Sequence, residues 1–239
     1  MQCLFYNFGQ MKTIAVIPAG GKGIRGGSSV PKQYLKFNSK ELIVYALEAF
    51  QLNQLIDEIV ISAEPKYFES LNELKSKYNL TKIVDIVEGG NERQDSVYNA
   101  LKSINKSSPD DLIAVHDAAR PLLPQKVLTD AIKMAKEKGN ALVCIKSKDT
   151  LIKGNKVVEN YLDRDEIFYV QTPQIFPFGV LIKAMKKAYE ENFIGTDESV
   201  LIRRIGEKVN IVEGSAFNFK ITTEEDIELF EKLVKSKSI

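Results

Sequence analysis

The residues best suited to chemistry lie in a glycine-rich stretch, Ala19-Gly20-Gly21-Lys22-Gly23-Ile24-Arg25-Gly26, followed by Pro31-Lys32-Gln33-Tyr34. Glycines let backbone N–H groups approach a polyphosphate closely, and Arg25 and Lys32 would supply countercharge. Two other loops have to be weighed. Gly21, Gly23 and Gly26 match the dinucleotide spacing G-x-G-x-x-G, but that loop opens directly into a helix. Here Gly27, Ser28, Ser29 and Pro31 keep the chain irregular, and no acidic residue stands where a ribose partner is expected. A Walker loop fails as well, since Lys22 lacks its spacing and no Ser or Thr follows. Glycines alone would make a turn after a strand. With Arg25 and Pro31-Lys32-Gln33 beside them, a phosphate site is the better reading.

The second candidate is Asp117, directly after the apolar run Leu112 to His116. If that run is a buried strand, Asp117 stands at its carboxyl end, where open α/β sheets bind ligands. A lone Asp in such a place often caps a helix. One carboxylate together with substrate phosphates is also a set that Mg²⁺ accepts.

Positioning these residues requires a sheet. Short β-branched runs alternate with amphipathic segments, the pattern of an α/β fold: a single-domain, Rossmann-like, open and mostly parallel sheet covered by helices. Strands are predicted at Ile14 to Ile17, Glu58 to Ser62, Lys82 to Val87, Leu112 to Val115 and Ala141 to Ile145. Helices are predicted near Leu42 to Phe50, Tyr67 to Tyr78, Asp95 to Ile104 and Gln125 to Glu137. In the third, Val97, Ala100, Leu101 and Ile104 share one face. The alternation lapses after Cys144. Thr150 to Asn160 reads as a hairpin with Gly154-Asn155 as its turn, either an arm reaching a neighbouring subunit or a surface excursion. Phe168 to Val170, Lys208 to Val212 and Asn218 to Ile221 read as strands, with helices from Phe178 and Asp197. Thr222 and Glu225 fit a capping box for a last helix, Glu224 to Val234.

Composition bounds the partners. The 239 residues suit one domain, and a net charge of +1 gives no global field for nucleic acid or an anionic membrane. No apolar run approaches the ~20 residues of a membrane span. Residues 1–10 lack the basic start of a secretory signal and read as a disordered leader, with Met11-Lys12 as a second start site. Cys3 and Cys144 are isolated and there is one His, so neither a disulfide nor a zinc site is expected, and a reducing cytoplasm is.

The glycine-rich signature with Pro31-Lys32-Gln33 resembles that of sugar-nucleotide transferases, in the branch making CDP-linked polyols. Four further stretches extend the likeness from Lys12 onward: Gly89-Gly90-Asn91-Glu92-Arg93-Gln94-Asp95-Ser96-Val97, His116-Asp117-Ala118-Ala119-Arg120-Pro121, Gln171-Thr172-Pro173-Gln174 and Lys220-Ile221-Thr222. Their order and spacing make the resemblance to the CDP-polyol cytidylyltransferase family highly specific. It implies a cytidylyl transfer from CTP to a polyol phosphate with Mg²⁺ as cofactor, in a cytoplasmic homodimer.

The family pattern then implies roles. Arg25 and Lys32 would stabilise the transition state and pyrophosphate, and Asp117 would bind Mg²⁺. The backbone of Ala19, Gly20, Gly21 and Gly23, with Gly90, Asn91 and Ser96, would hold CTP. Asn91 could equally be a helix cap. Arg120, Thr150, Arg164, Thr172, Thr196 and Lys220 would hold the acceptor, Arg164 reaching it from the partner subunit on an arm of about residues 149–165. His116 reads as structural, because an attacking phosphate dianion needs no general base. Gly20, Gly26 and Phe217 depart from the family pattern, the last leaving acceptor contacts open. The Ala118-Ala119 pair and Arg93 to Val97 look more like the methylerythritol-phosphate branch than the ribitol-phosphate one. An NAD-binding Rossmann protein is the alternative of another class.

Overall fold

The computed structural model describes residues 11–21, 30–105 and 107–236. The expected leader and the 22–29 segment, with Gly23, Arg25 and Gly26, lie outside them.

Strand β1 (Thr13–Pro18) is followed by the small hairpin β2 (Lys36–Phe37) and β3 (Lys40–Glu41), then α1 (Leu42–Leu52). Next come β4 (Glu58–Ala63), α2 (Phe68–Lys77), β5 (Ile83–Glu88), α3 (Arg93–Ser103), β6 (Leu112–Val115), α4 (Gln125–Lys138) and β7 (Ala141–Lys146). A second hairpin, β8 (Leu151–Gly154) and β9 (Val158–Leu162), precedes β10 (Phe168–Pro177), α5 (Phe178–Glu190), α6 (Glu198–Arg204), β11 (Ile211–Glu213) and α7 (Glu224–Lys235). Seven strands form one sheet in the order β11-β7-β10-β6-β1-β4-β5. Only β10 runs antiparallel, against both β6 and β7.

Alternation along β1 assigns its faces. Ala15 and Ile17 pack with Ile43, Leu47, Phe50, Leu71, Leu128 and Ile132 of α1, α2 and α4. Ile14 and Val16 meet Val97, Leu101, Leu181, Met185 and Ile202 of α3, α5 and α6. Phe230 of α7 closes a third cluster with Phe37, Leu42, Leu122 and Ile221. From β1 the chain builds outward through β4 and β5, then returns to place β6 on β1's other side. Strand order therefore reverses at the carboxyl ends of β1 and β6, opening the crevice that such sheets use for ligands.

Several expected details shift. Asn218 to Ile221 is not a strand, and Lys208 to Val212 contracts to Ile211–Glu213, which pairs with β7 over three positions. The arm's turn spans Asn155 to Val157 rather than Gly154-Asn155. Gly154 instead pairs with Val158, where a Cβ would lie 2.3 Å from the Val157 carbonyl oxygen, so the glycine serves close approach rather than the turn itself. The last capping box is one residue later, Thr223 with Asp226. Asp226 accepts from the Thr222 and Thr223 backbone N–H groups, at 2.7 and 2.8 Å, and from the Thr222 hydroxyl at 2.8 Å.

Candidate active site

At the switch point lies a cleft of about 330 Å³. It gathers Ala19, Gly20 and Gly21 from the loop after β1, Gly90, Asn91 and Ser96 from the entry to α3, and Lys32, Asp117 and Lys220. Thus nine residues singled out in the sequence meet at one place from five separate stretches of chain.

Each wall has a local cause. Gln33, buried in the turn after Pro31, donates its side-chain amide to the carbonyls of Ala19 at 2.6 Å and Gly21 at 3.1 Å. The Tyr34 hydroxyl also reaches the Ala19 carbonyl, at 3.4 Å, while its ring stacks on Tyr67 at 3.9 Å. These contacts occupy the carbonyls of Ala19 and Gly21. Lys32 donates its ammonium to the Ile221 carbonyl, joining the signature to the distant C-terminal segment.

On the opposite wall, α3 is capped by Glu92 rather than Asn91, with the Asp95 carboxylate accepting the Glu92 N–H at 3.0 Å. The Ser96 hydroxyl accepts from Gly90 N–H at 3.0 Å and donates to the Glu92 carbonyl at 3.2 Å. Gly90 is required there: a Cβ would fall 2.1 Å from Asp95 Cβ. A Cβ on Gly20 would come within 3.3 Å of Ser96 Oγ, so the departure at Gly20 leaves that hydroxyl unpressed.

Asp117 sits where these walls meet. Its Oδ1 accepts from Arg93 Nε at 2.9 Å and its Oδ2 pairs with Lys220 Nζ at 2.9 Å. Burial opposes its ionised form, but Arg93 and Lys220 outweigh that and hold the carboxyl well below the usual carboxylate range. The Lys220 side chain is 40% exposed and rises from irregular chain, not from the strand expected over Asn218 to Ile221. That segment is fixed instead by Arg120 Nη1 donating to the Asn218 carbonyl at 2.6 Å and by Ile221 N–H donating to Ala119 at 2.9 Å.

His116 is fully buried, and burial pushes its pKa down to about 4. Its Nε2 lies 3.0 Å from the Arg120 carbonyl, which can only accept, so the proton sits on Nε2. Nδ1 then accepts from the Thr172 hydroxyl at 3.0 Å, and that hydroxyl accepts the Asp117 N–H at 3.1 Å. A neutral ring with both nitrogens engaged orients the Asp117 turn. Its one ring proton is committed to the Arg120 carbonyl.

The acceptor candidates are more scattered. Arg120 Nε lies 4.0 Å from Asp117 Oδ2, and Thr172 stands behind the turn. Thr150 and Arg164 are exposed at the arm's base, Thr196 is exposed before α6, and none of the three lines this cleft. Phe217 is exposed. Two residues escaped assignment: Arg93, which lines the cleft, and Glu198, whose two oxygens Arg93 grips at 2.7 and 3.1 Å. Arg93 lies within a quoted motif, but nothing local links it to a carboxylate 105 residues away.

Among the described residues no group of three or more His, Cys, Asp or Glu could hold a metal. A magnesium ion shared with phosphates needs less, and Asp117 supplies one ionised oxygen donor at the cleft. Nor is any helix among them long and apolar enough to cross a membrane.

A family model, IspD: 2-C-methyl-D-erythritol 4-phosphate cytidylyltransferase, matches residues 13–236. A protein of that enzyme name from Syntrophus aciditrophicus is 39% identical over 230 residues, covering 95% of this chain and 97% of its own. Another from Geotalea uraniireducens is 37% identical over 232 residues, covering 95% and 98%. The solved Francisella tularensis enzyme superposes with a TM-score of 0.78 at 32% identity, over 92% of this chain and 99% of its own. The corresponding synthase from Anaerococcus prevotii gives 0.82 at 26% identity, over 94% and 96%. With a matching model over nearly the whole described chain, and relatives of equal length and fold, this chain belongs to the 2-C-methyl-D-erythritol 4-phosphate cytidylyltransferase family.

Proposed function

We propose that this chain transfers CMP from CTP to 2-C-methyl-D-erythritol 4-phosphate in non-mevalonate isoprenoid synthesis. The products are 4-diphosphocytidyl-2-C-methyl-D-erythritol and pyrophosphate. The observation that carries the reading is the convergence of the glycine loop, the α3 entry, Lys32, Asp117 and Lys220 on one cleft. An acceptor phosphate oxygen attacks the α-phosphorus, the α–β bridging P–O bond breaks, and its electron pair leaves with pyrophosphate. No covalent enzyme intermediate is needed, so the protein's work is alignment and charge stabilisation.

The Ala19 to Gly21 backbone and Lys32 face the triphosphate. Gly90, Asn91 and Ser96 flank the cytosine and ribose, and Lys220 holds the incoming phosphate next to Asp117. A magnesium ion on Asp117 and the phosphates would neutralise developing oxygen charge. Arg25, Arg120, Thr150, Thr172 and Thr196 complete the set that the family pattern assigns. We further read the β8–β9 arm as a dimer contact that carries Arg164 into the partner's cleft. Val157 is 75% exposed and Tyr161 68%, a cost in water that burial against a second copy would remove. A cytoplasmic setting fits this chemistry.

The test is pyrophosphate release with CTP and Mg²⁺, comparing methylerythritol phosphate with ribitol 5-phosphate. Turnover is expected with the first and little with the second. Faster turnover with ribitol 5-phosphate would overturn the acceptor assignment and leave the reaction type intact.

A further inference from the structure

Arg93 stands between two carboxylates of different exposure to ligand. Its Nη1 and Nη2 grip both oxygens of Glu198, and its Nε donates to Asp117 at 2.9 Å. Glu198 is 1% exposed and does not line the cleft, so it touches no substrate there. A carboxylate buried this deeply is expensive to keep ionised, and the transfer chemistry gives it no obvious task.

The surrounding charges supply one. Asp117 faces Arg93, Lys220 and, at 4.0 Å, Arg120. Three cations around one carboxylate suit a polyphosphate but oppose a divalent cation. Glu198 alters that sum from behind. We propose that Glu198 is a charge-balancing residue: by neutralising Arg93, it lets Arg93 orient Asp117 as a hydrogen-bond donor without acting as its full counterion. Asp117 thereby keeps the negative potential needed to take a divalent cation beside the CTP phosphates. This rests on the reading of Asp117 given above.

Neighbouring contacts hold the pair without relying on its charge. Gln94, next to Arg93, accepts from Gly195 N–H at 2.8 Å and donates to the Phe193 carbonyl at 3.2 Å. Ser199, next to Glu198, donates its N–H to Gln174 at 2.9 Å. The isosteric Glu198→Gln can therefore keep the same backbone and a hydrogen bond to Arg93.

The experiment titrates the enzyme–CTP complex with Mn²⁺, without acceptor, reading free Mn²⁺ by electron paramagnetic resonance. CTP affinity is measured in parallel in EDTA. Glu198→Gln should weaken Mn²⁺ binding by about tenfold, from one unbalanced charge near a partly screened site. Metal-free CTP binding should be unchanged or tighter, because the cleft gains net positive charge. Glu198→Asp, which keeps the charge but loosens the bidentate grip, should fall between the wild type and Glu198→Gln. Should Glu198→Gln not fold, Glu198→Asp decides alone: weakened Mn²⁺ binding with intact CTP binding supports the inference, and unchanged Mn²⁺ binding overturns it. Unchanged Mn²⁺ affinity in folded Glu198→Gln, or parallel loss of Mn²⁺ and CTP affinity, overturns it too. Asp117→Asn separates the two readings. If it abolishes Mn²⁺ binding while Glu198→Gln does not alter it, only the charge-balancing role falls; if Asp117→Asn has no effect, the metal assignment itself falls.

Discussion

Gln33 holds the Ala19 carbonyl at 2.6 Å from within a buried turn, so the residue beside Lys32 fixes the backbone opposite it. Losing a buried hydrogen bond while leaving its carbonyl unpaired costs about 1–3 kcal/mol. Gln33→Ala should therefore raise KM for CTP by roughly tenfold, with a smaller change in kcat. Steady-state kinetics check this. An unaltered KM in a folded variant would mean the loop keeps its shape without the amide.

Lys32→Ala should act on the other parameter. In the proposed role its ammonium is matched to charge that develops on the departing phosphates, and removing one such donor typically lowers kcat by about 10²–10³-fold. Isothermal titration should find CTP affinity much less affected. A near-normal kcat would show that the triphosphate lies elsewhere.

His116 makes stability depend on pH with a definite sign. Its folded pKa, about 4, lies below the ordinary 6.5, so the unfolded chain binds the extra proton first as pH falls. The stability is fully present above pH ~6.5 and is lost progressively between there and pH ~4, amounting to about 3–4 kcal/mol at about 1.4 kcal/mol per pH unit. His116→Gln should flatten that part of a Tm-versus-pH curve while lowering Tm at neutral pH. An equally steep curve in the variant would assign the acid sensitivity to other groups.

Mixing Lys32→Ala with Arg164→Ala under subunit exchange tests the arm. If Arg164 serves the partner, one site of each heterodimer has both defects and the other has neither. Random pairing of equal amounts should then recover about a quarter of wild-type activity. Confirmed heterodimers with no recovered activity would place Arg164 in its own subunit's chemistry or outside it.

What could be read in advance divides along a physical line. Strand β6, with Asp117 just beyond its end, and helix α3 follow from side-chain periodicity, a local property, and the glycine loop from its residue types. The cap at Glu92 and the box at Thr223 were each misplaced by one residue, because several nearby side chains can accept the same N–H groups. Asn218 to Ile221 looks like a strand by composition, yet its hydrogen bonds go to loops and side chains, among them Ala119, Arg120, Gln171 and Thr172. The Arg93–Glu198 pair is a tertiary fact with no short-range trace. Arg25 and Gly23 rest on type, spacing and the family pattern, and lie outside the described residues.

The Lys32 bond to Ile221 has a consequence for biosynthesis. The cleft's first wall is translated within the opening 34 residues, but Lys220 and the carbonyl that receives Lys32 emerge almost two hundred residues later. A chain that stops short of residue 220 lacks one wall of this cleft, whatever part of its sheet has formed. The proposed site is therefore complete only once the segment carrying Lys220 and Ile221, which joins the cluster around Phe230, has been made.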